Sequence, residues 1–71
     1  MEIGTILKQT RKAANLTQKQ LQDKSKVSFV TINRIEGGAN ARLSVVNKLF
    51  NAMGKQLTIE ITDKNGTDVL G

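Results

Sequence analysis

Apolar and small residues at Ile3, Ile6, Leu7, Thr10 and Ala14 recur at helical spacing, and they predict a first amphipathic helix over Ile3 to Ala14. Lys8, Gln9 and Lys12 fall mostly off that stripe, and Asn15 is a plausible left-handed stop. Thr17 opens a second helix. Gln20 stands three residues later, so Thr17-Gln18-Lys19-Gln20 has the form of a capping box, with Leu21 as the inward anchor. The run Ser25-Lys26-Val27-Ser28 breaks the pattern and leaves Ser28 as the next N-cap. Val30 or Thr31, with Ile32 and Ile35, gives the third helix its inward stripe, and Gly37-Gly38 ends it. Ala39-Asn40-Ala41 is a loop, followed by a fourth helix over Arg42 to Met53 with Leu43, Val46, Leu49, Phe50 and Met53 inward and Gly54 as its stop.

The period then changes from 3.6 to two. Leu57, Ile59 and Ile61 alternate with Thr58, Glu60 and Thr62, the pattern of a half-buried strand. The chain therefore divides into a helical body, 1–55, and a segment 56–71 made of one strand and a short polar tail. A single strand cannot satisfy its own backbone hydrogen bonds. A local hairpin through Asn65-Gly66 would offer only Thr67 to Leu70 as a partner, and a lone hairpin is marginal in water. The better partner is the same strand of a second copy, paired antiparallel about a two-fold axis. This predicts a homodimer joined through Gln56, Leu57, Thr58, Ile59, Glu60, Ile61 and Thr62.

Composition narrows the chemistry. The 71 residues form one small domain whose modest core would benefit from the area a partner buries. The chain has no Cys and no His, which removes disulfides, thiolate metal sites, the commonest zinc ligand and the usual general base. The six carboxylates, Glu2, Asp23, Glu36, Glu60, Asp63 and Asp68, show no acid–base or metal-ligand spacing, so no catalytic residue, metal or cofactor is expected and the chain is not read as an enzyme. No apolar stretch approaches membrane-spanning length and the N-terminus lacks the apolar core of a signal peptide, so a cytoplasmic protein is expected. The net charge of +5 is uneven. Residues 1–55 carry ten Lys or Arg against Glu2, Asp23 and Glu36, a net +7, whereas residues 56–71 carry Lys64 against three carboxylates, a net −2. A basic body with an acidic end fits a surface that meets a polyanion, beside a second surface with another task.

The second and third helices are joined by only about three or four residues, the length of a helix-turn-helix connection. At Leu16-Thr17-Gln18-Lys19-Gln20-Leu21 and Val27-Ser28-Phe29-Val30-Thr31-Ile32-Asn33-Arg34-Ile35-Glu36-Gly37-Gly38 the chain resembles the Cro/C1-type (Xre) helix-turn-helix family, over roughly residues 3–54. With the alternation at Leu57 to Thr62, it looks like the HipB-type antitoxins within that family. The resemblance implies a mainly α, lambda-repressor-like four-helix domain with one C-terminal β-strand pairing across a homodimer. It also implies a sequence-specific regulator of transcription, a HipB-like antitoxin that represses its own operon and binds a HipA-like kinase toxin. Two positions depart from the family. Gln22 stands where Ala is usual, so it must turn outward or be accommodated by small neighbours such as Ser25. Lys26 stands where Gly is usual and would cost about 1–2 kcal/mol if held left-handed.

In this fold the third helix is the recognition helix; its start enters the major groove while the preceding helix crosses the backbone. Ser28, Phe29, Thr31 and Asn33 are then the outward residues near the bases, with Arg34 beyond. Ser28 and Asn33 can hydrogen-bond base edges and Phe29 can pack on a thymine methyl. The alternatives are a core or dimer contact for Phe29, core for Val30, solvated surface for Asn33, and a phosphate contact, a base contact or solvated surface for Arg34. The resemblance places a phosphate contact at Gln18, with Thr17, Lys19, Lys24 and Lys26 as further phosphate candidates, while Lys8, Lys12 and Lys48 read as solvated charges. It also implies an ion pair between Arg11 and Glu36 that fixes the first helix against the third. The expected partners are double-stranded DNA carrying an inverted repeat, a second copy of the chain, and the kinase toxin. A stand-alone or phage-type repressor without a toxin, or a protein-only adaptor, are the alternatives.

Overall fold

The computed structural model describes residues 3–58, and over these the chain is four helices: α1 (Ile3–Ala13), α2 (Gln18–Ser25), α3 (Phe29–Glu36) and α4 (Leu43–Ala52). One contiguous core forms from Leu7 of α1, Leu21 of α2, Ile32 and Ile35 of α3, and Val46, Leu49 and Phe50 of α4. Leu7, Leu21, Ile32 and Leu49 are fully enclosed. Around them α3 packs on both α1 and α2, and α2 packs on α4. The stripes expected from the sequence supply most of this core.

The helix ends follow local chemistry. Thr17 Oγ1 accepts from Gln20 N at 3.0 Å, and Gln20 Oε1 accepts from Thr17 N at 2.9 Å, so the capping box is complete. Ser28 Oγ accepts from Val30 N and caps α3. At the far end of α1, Asn15 takes φ +59°, Leu16 N donates to Arg11 O and Asn15 N to Lys12 O, the paired bonds of a Schellman stop. The same two bonds close α3 at Gly38 and α4 at Gly54.

Lys26 ends α2 in the left-handed region, at φ +65°, with one bond from its N–H to Gln22 O. A side chain there carries the strain expected for it. Lys26→Gly should therefore raise stability by about 1 kcal/mol, since the relief of about 1–2 kcal/mol is partly offset by the greater freedom of glycine in the unfolded chain. The midpoint of a urea transition checks this; an unchanged or lower midpoint contradicts it.

Two inward assignments, Leu43 and Ala14, need correction, and the choice between Val30 and Thr31 is resolved. Leu43 is half exposed, at 53%, because it lies on the first turn of α4, which no helix among the described residues covers. Val30 is 46% exposed, which leaves Thr31, half-buried, as the residue of the pair that turns inward. Ala14 is exposed because α1 ends at Ala13 and the chain turns away. Lys55 to Thr58 carry no regular structure, and Leu57 rests half-buried against the core. The strand and dimer contact expected at Gln56–Thr62 therefore lie, from Ile59 onward, outside the described residues, as does the tail. Among the described residues no helix is long and apolar enough to cross a membrane.

Candidate nucleic-acid interface

The turn between α2 and α3 is three residues, Lys26, Val27 and Ser28, with Val27 half-buried on the core and Val27 N donating to Ser25 Oγ. Among the described residues one side of both helices is uncovered. Thr17, Lys19, Lys24, Lys26, Ser28, Phe29, Asn33 and Arg34 are exposed, and Gln18 and Thr31 are half-buried.

The structure sorts these residues into two groups. Gln18, Lys19, Phe29 and Asn33 meet across the α2–α3 junction. Gln18 Nε2 donates to Asn33 Oδ1 at 3.2 Å, and the Lys19 ammonium lies 5.4 Å from the centre of the Phe29 ring. Phe29 is 37% exposed, so it is no core residue. An exposed aromatic beneath a lysine presents an apolar edge and a cation together. Thr31 and Arg34 lie on the other side of α3, lining an open recess with Asn40 and Arg42.

Arg42 is a residue the sequence reading passed over. It is the N-cap of α4, yet its side chain makes no cap hydrogen bond and it places a cation at the positive end of a helix. That local cost is visible in the sequence once the helix start is known.

Beneath the first group lies the ion pair. Arg11 Nε donates to Glu36 Oε2 at 2.7 Å and Arg11 Nη2 to Glu36 Oε1 at 3.0 Å, a bidentate contact with both side chains nearly buried. Arg11 Nη1 also donates to Leu16 O at 2.8 Å, so one guanidinium ties α1, the α1–α2 turn and α3 together. Gln18 Nε2 donates to Glu36 Oε1 as well, at 3.1 Å. Burial alone pushes the Glu36 carboxyl up, but the hydrogen bonds from Arg11 and Gln18, with the charges of Arg11 and Lys8, outweigh it and hold it below its ordinary value. The hydrogen bond to Glu36 raises the Arg11 guanidinium, against its own burial.

Gln22 answers the question its size poses. Its half-buried side chain bridges the two helices at their exposed edge. Oε1 accepts from Phe29 N at 2.8 Å and caps the first amide of α3. With Ser28 Oγ on Val30 N, both leading amides of the recognition helix are occupied from within the chain. At the start of α2, Gln20 N is taken by Thr17, whereas Gln18 N and Lys19 N have no partner among the described residues. Thr31 N of α3 is likewise without a partner among the described residues, so both helices present open amides, two of them at the start of α2, the helix expected to face the backbone.

No curated protein matches the chain. A helix-turn-helix family model of the Xre/Cro type matches residues 7–59, which takes in part of α1, the whole α2–turn–α3 unit and α4. On that match, spanning well over half of the 71 residues, and on the motif geometry described above, the chain belongs to the helix-turn-helix family of DNA-binding transcription regulators.

Proposed function

We propose that this protein recognises a specific duplex sequence as a homodimer on an inverted repeat and represses transcription from it. The observation that carries this reading is the pair of uncovered helix faces, α2 and α3, held at a fixed angle by the Arg11–Glu36–Gln18 contacts and fringed by lysines. In the proposed complex α3 enters the major groove with Phe29 and Asn33 toward the bases, Ser28 beside them, and Thr31 and Arg34 on the flank. Lys19, Lys24, Lys26 and Arg42 take phosphates, as do the free amides of Gln18 and Lys19, with Thr17 alongside. A second copy, joined through residues 56–62, would present its own α3 roughly 34 Å away, one turn of the duplex. Two linked half-sites convert a weak contact into a usable affinity.

The narrower form of this reading is a HipB-like antitoxin with a kinase partner. It is supported by the alternation from Leu57 to Thr62 and by the acidic end of the chain. Pull-down of the product of an adjacent kinase gene supports it; its absence beside intact operator binding leaves the stand-alone repressor.

The test is selection from a random duplex library, followed by footprinting and titration across salt. The expected result is a protected inverted repeat. Affinity should drop about 10³–10⁵-fold between 50 and 200 mM salt if six to ten phosphates are engaged. Light scattering on the free protein should give a dimer at micromolar concentration. A salt-insensitive protein that enriches no sequence overturns the proposal, and a monomer overturns its two-fold part.

A further inference from the structure

The Gln18–Asn33 bridge has a direction, and the ion pair sets it. A carboxylate only accepts, so the atom of Gln18 that faces Glu36 Oε1 is the amide nitrogen. That nitrogen has two hydrogens. One goes to Glu36 and the other to Asn33, which must therefore offer its oxygen. Side-chain amides are otherwise free to sit either way round, and here a charge at one end of the chain Arg11–Glu36–Gln18–Asn33 removes that freedom. The groups left over are Gln18 Oε1, an acceptor, and Asn33 Nδ2, a donor. Neither has a partner among the described residues, and no partnerless polar side-chain atom is sealed from solvent there.

Resting on the DNA-binding reading above, we infer that Gln18 and Asn33 together form an adenine-reading pair, with Gln18 Oε1 accepting from the adenine N6 amino group and Asn33 Nδ2 donating to N7. Glu36, itself held by Arg11, is the positioning residue that fixes this polarity. Adenine is the base whose major-groove edge offers one donor beside one acceptor. Guanine offers two acceptors, so its O6 would meet Gln18 Oε1 without a proton between them. Thymine offers an acceptor and a methyl group, and cytosine a lone donor. With both its amide hydrogens engaged, Gln18 has no side-chain donor left for a phosphate, so it acts as a specificity residue and its backbone N–H takes the phosphate role.

The experiment starts from duplexes enriched out of the random library by the wild-type protein. Each adenine of the enriched half-site is replaced in turn by 7-deazaadenine, which lacks N7, or by purine, which lacks the N6 amino group. One adenine per half-site should weaken wild-type binding about tenfold with either analogue. Asn33→Asp keeps the oxygen that Gln18 needs and loses the outward donor. At that position it should prefer cytosine to adenine by about tenfold, read as a ratio between two duplexes so that a general loss of affinity cancels. Glu36→Gln, which can face Gln18 either way round, leaves only part of the molecules in the orientation that reads adenine and should lower the adenine-to-guanine ratio by about twofold, a change that lower stability alone does not produce. Enrichment with no analogue-sensitive adenine, an unchanged ratio in Asn33→Asp, or an unchanged ratio in Glu36→Gln overturns this inference and leaves DNA binding standing. Failure to enrich any sequence overturns the DNA reading and this inference with it.

Discussion

Arg11→Ala is expected to destabilise the fold by about 2–4 kcal/mol, the cost of leaving a nearly buried carboxylate without its cation. The value falls toward the lower part of the range for buried pairs because the contact lines a shallow groove with Lys8, Lys12 and Gln18. For a chain of this size, whose whole stability is about 4–10 kcal/mol, the loss is large. Arg11→Lys should recover only part of it, since an ammonium cannot supply the two-pronged contact with Glu36 and the separate bond to Leu16 O. Urea unfolding of the three proteins at neutral pH measures both effects, and a loss under about 0.5 kcal/mol for Arg11→Ala, the range of an ordinary surface substitution, would mean the pair is solvated in solution.

The same pair gives the fold an acid limb. Glu36 is held below its ordinary value of 4.5, so the unfolded chain binds this proton more tightly than the folded one. Its contribution is therefore complete above about pH 4.5 and fades as the pH falls through the lower, folded-state value. In Arg11→Ala that acid-side loss should shrink, because the largest favourable hydrogen bond to the carboxylate is gone while its desolvation remains. Melting temperature measured from pH 7 down to pH 3 in wild type and variant should show the two curves converging as the pH drops. Parallel curves would contradict the assignment.

Gly4→Ala should have the second largest effect, and with the opposite sign to helix propensity. In an open helix the change stabilises by about 0.5–1 kcal/mol. Here Gly4 is buried in α1 against α3, and an added methyl would land on the carbonyl oxygen of Ile35, with the backbone of Glu36 just behind. Backbone cannot swing aside as a flexible side chain does, so α1 must back away from α3. Overpacking of this kind costs about 1–3 kcal/mol. The displaced helix carries Arg11, so the bond to Glu36 should weaken and DNA affinity should fall beyond what reduced folding explains. Thermal melts and duplex titration report the two effects separately. A more stable Gly4→Ala protein would show that the helices do not meet this closely.

The contrast between Gly4 and the caps shows where the sequence is readable. Thr17 with Gln20, Ser28, Asn15 and Gly54 declare helix ends because each acts on backbone groups within a few residues. Leu7, Leu21, Ile32 and Leu49 declare the core because a helix places them on one side whatever lies opposite. Leu43 shows the limit of that logic. Periodicity fixes the angle at which a side chain leaves the helix, and it is silent on whether a neighbour extends far enough to cover it. The Arg11–Glu36 pair, 25 residues apart in sequence, was legible only through family resemblance, since no local rule links such distant positions.

The sequence by itself determined four helices, their order, most of their inward residues, the short α2–α3 turn and the basic character of the body, all of which follow from periodicity, capping and charge count. Only the tertiary structure decided that Gln22 caps the recognition helix, that Gly4 is a contact point, that Arg42 joins Arg34, and which way the Gln18 and Asn33 amides face. Those outcomes depend on atoms brought together from distant parts of the chain. A side-chain amide has no polarity of its own choosing; the carboxylate that packing sets beside it supplies one.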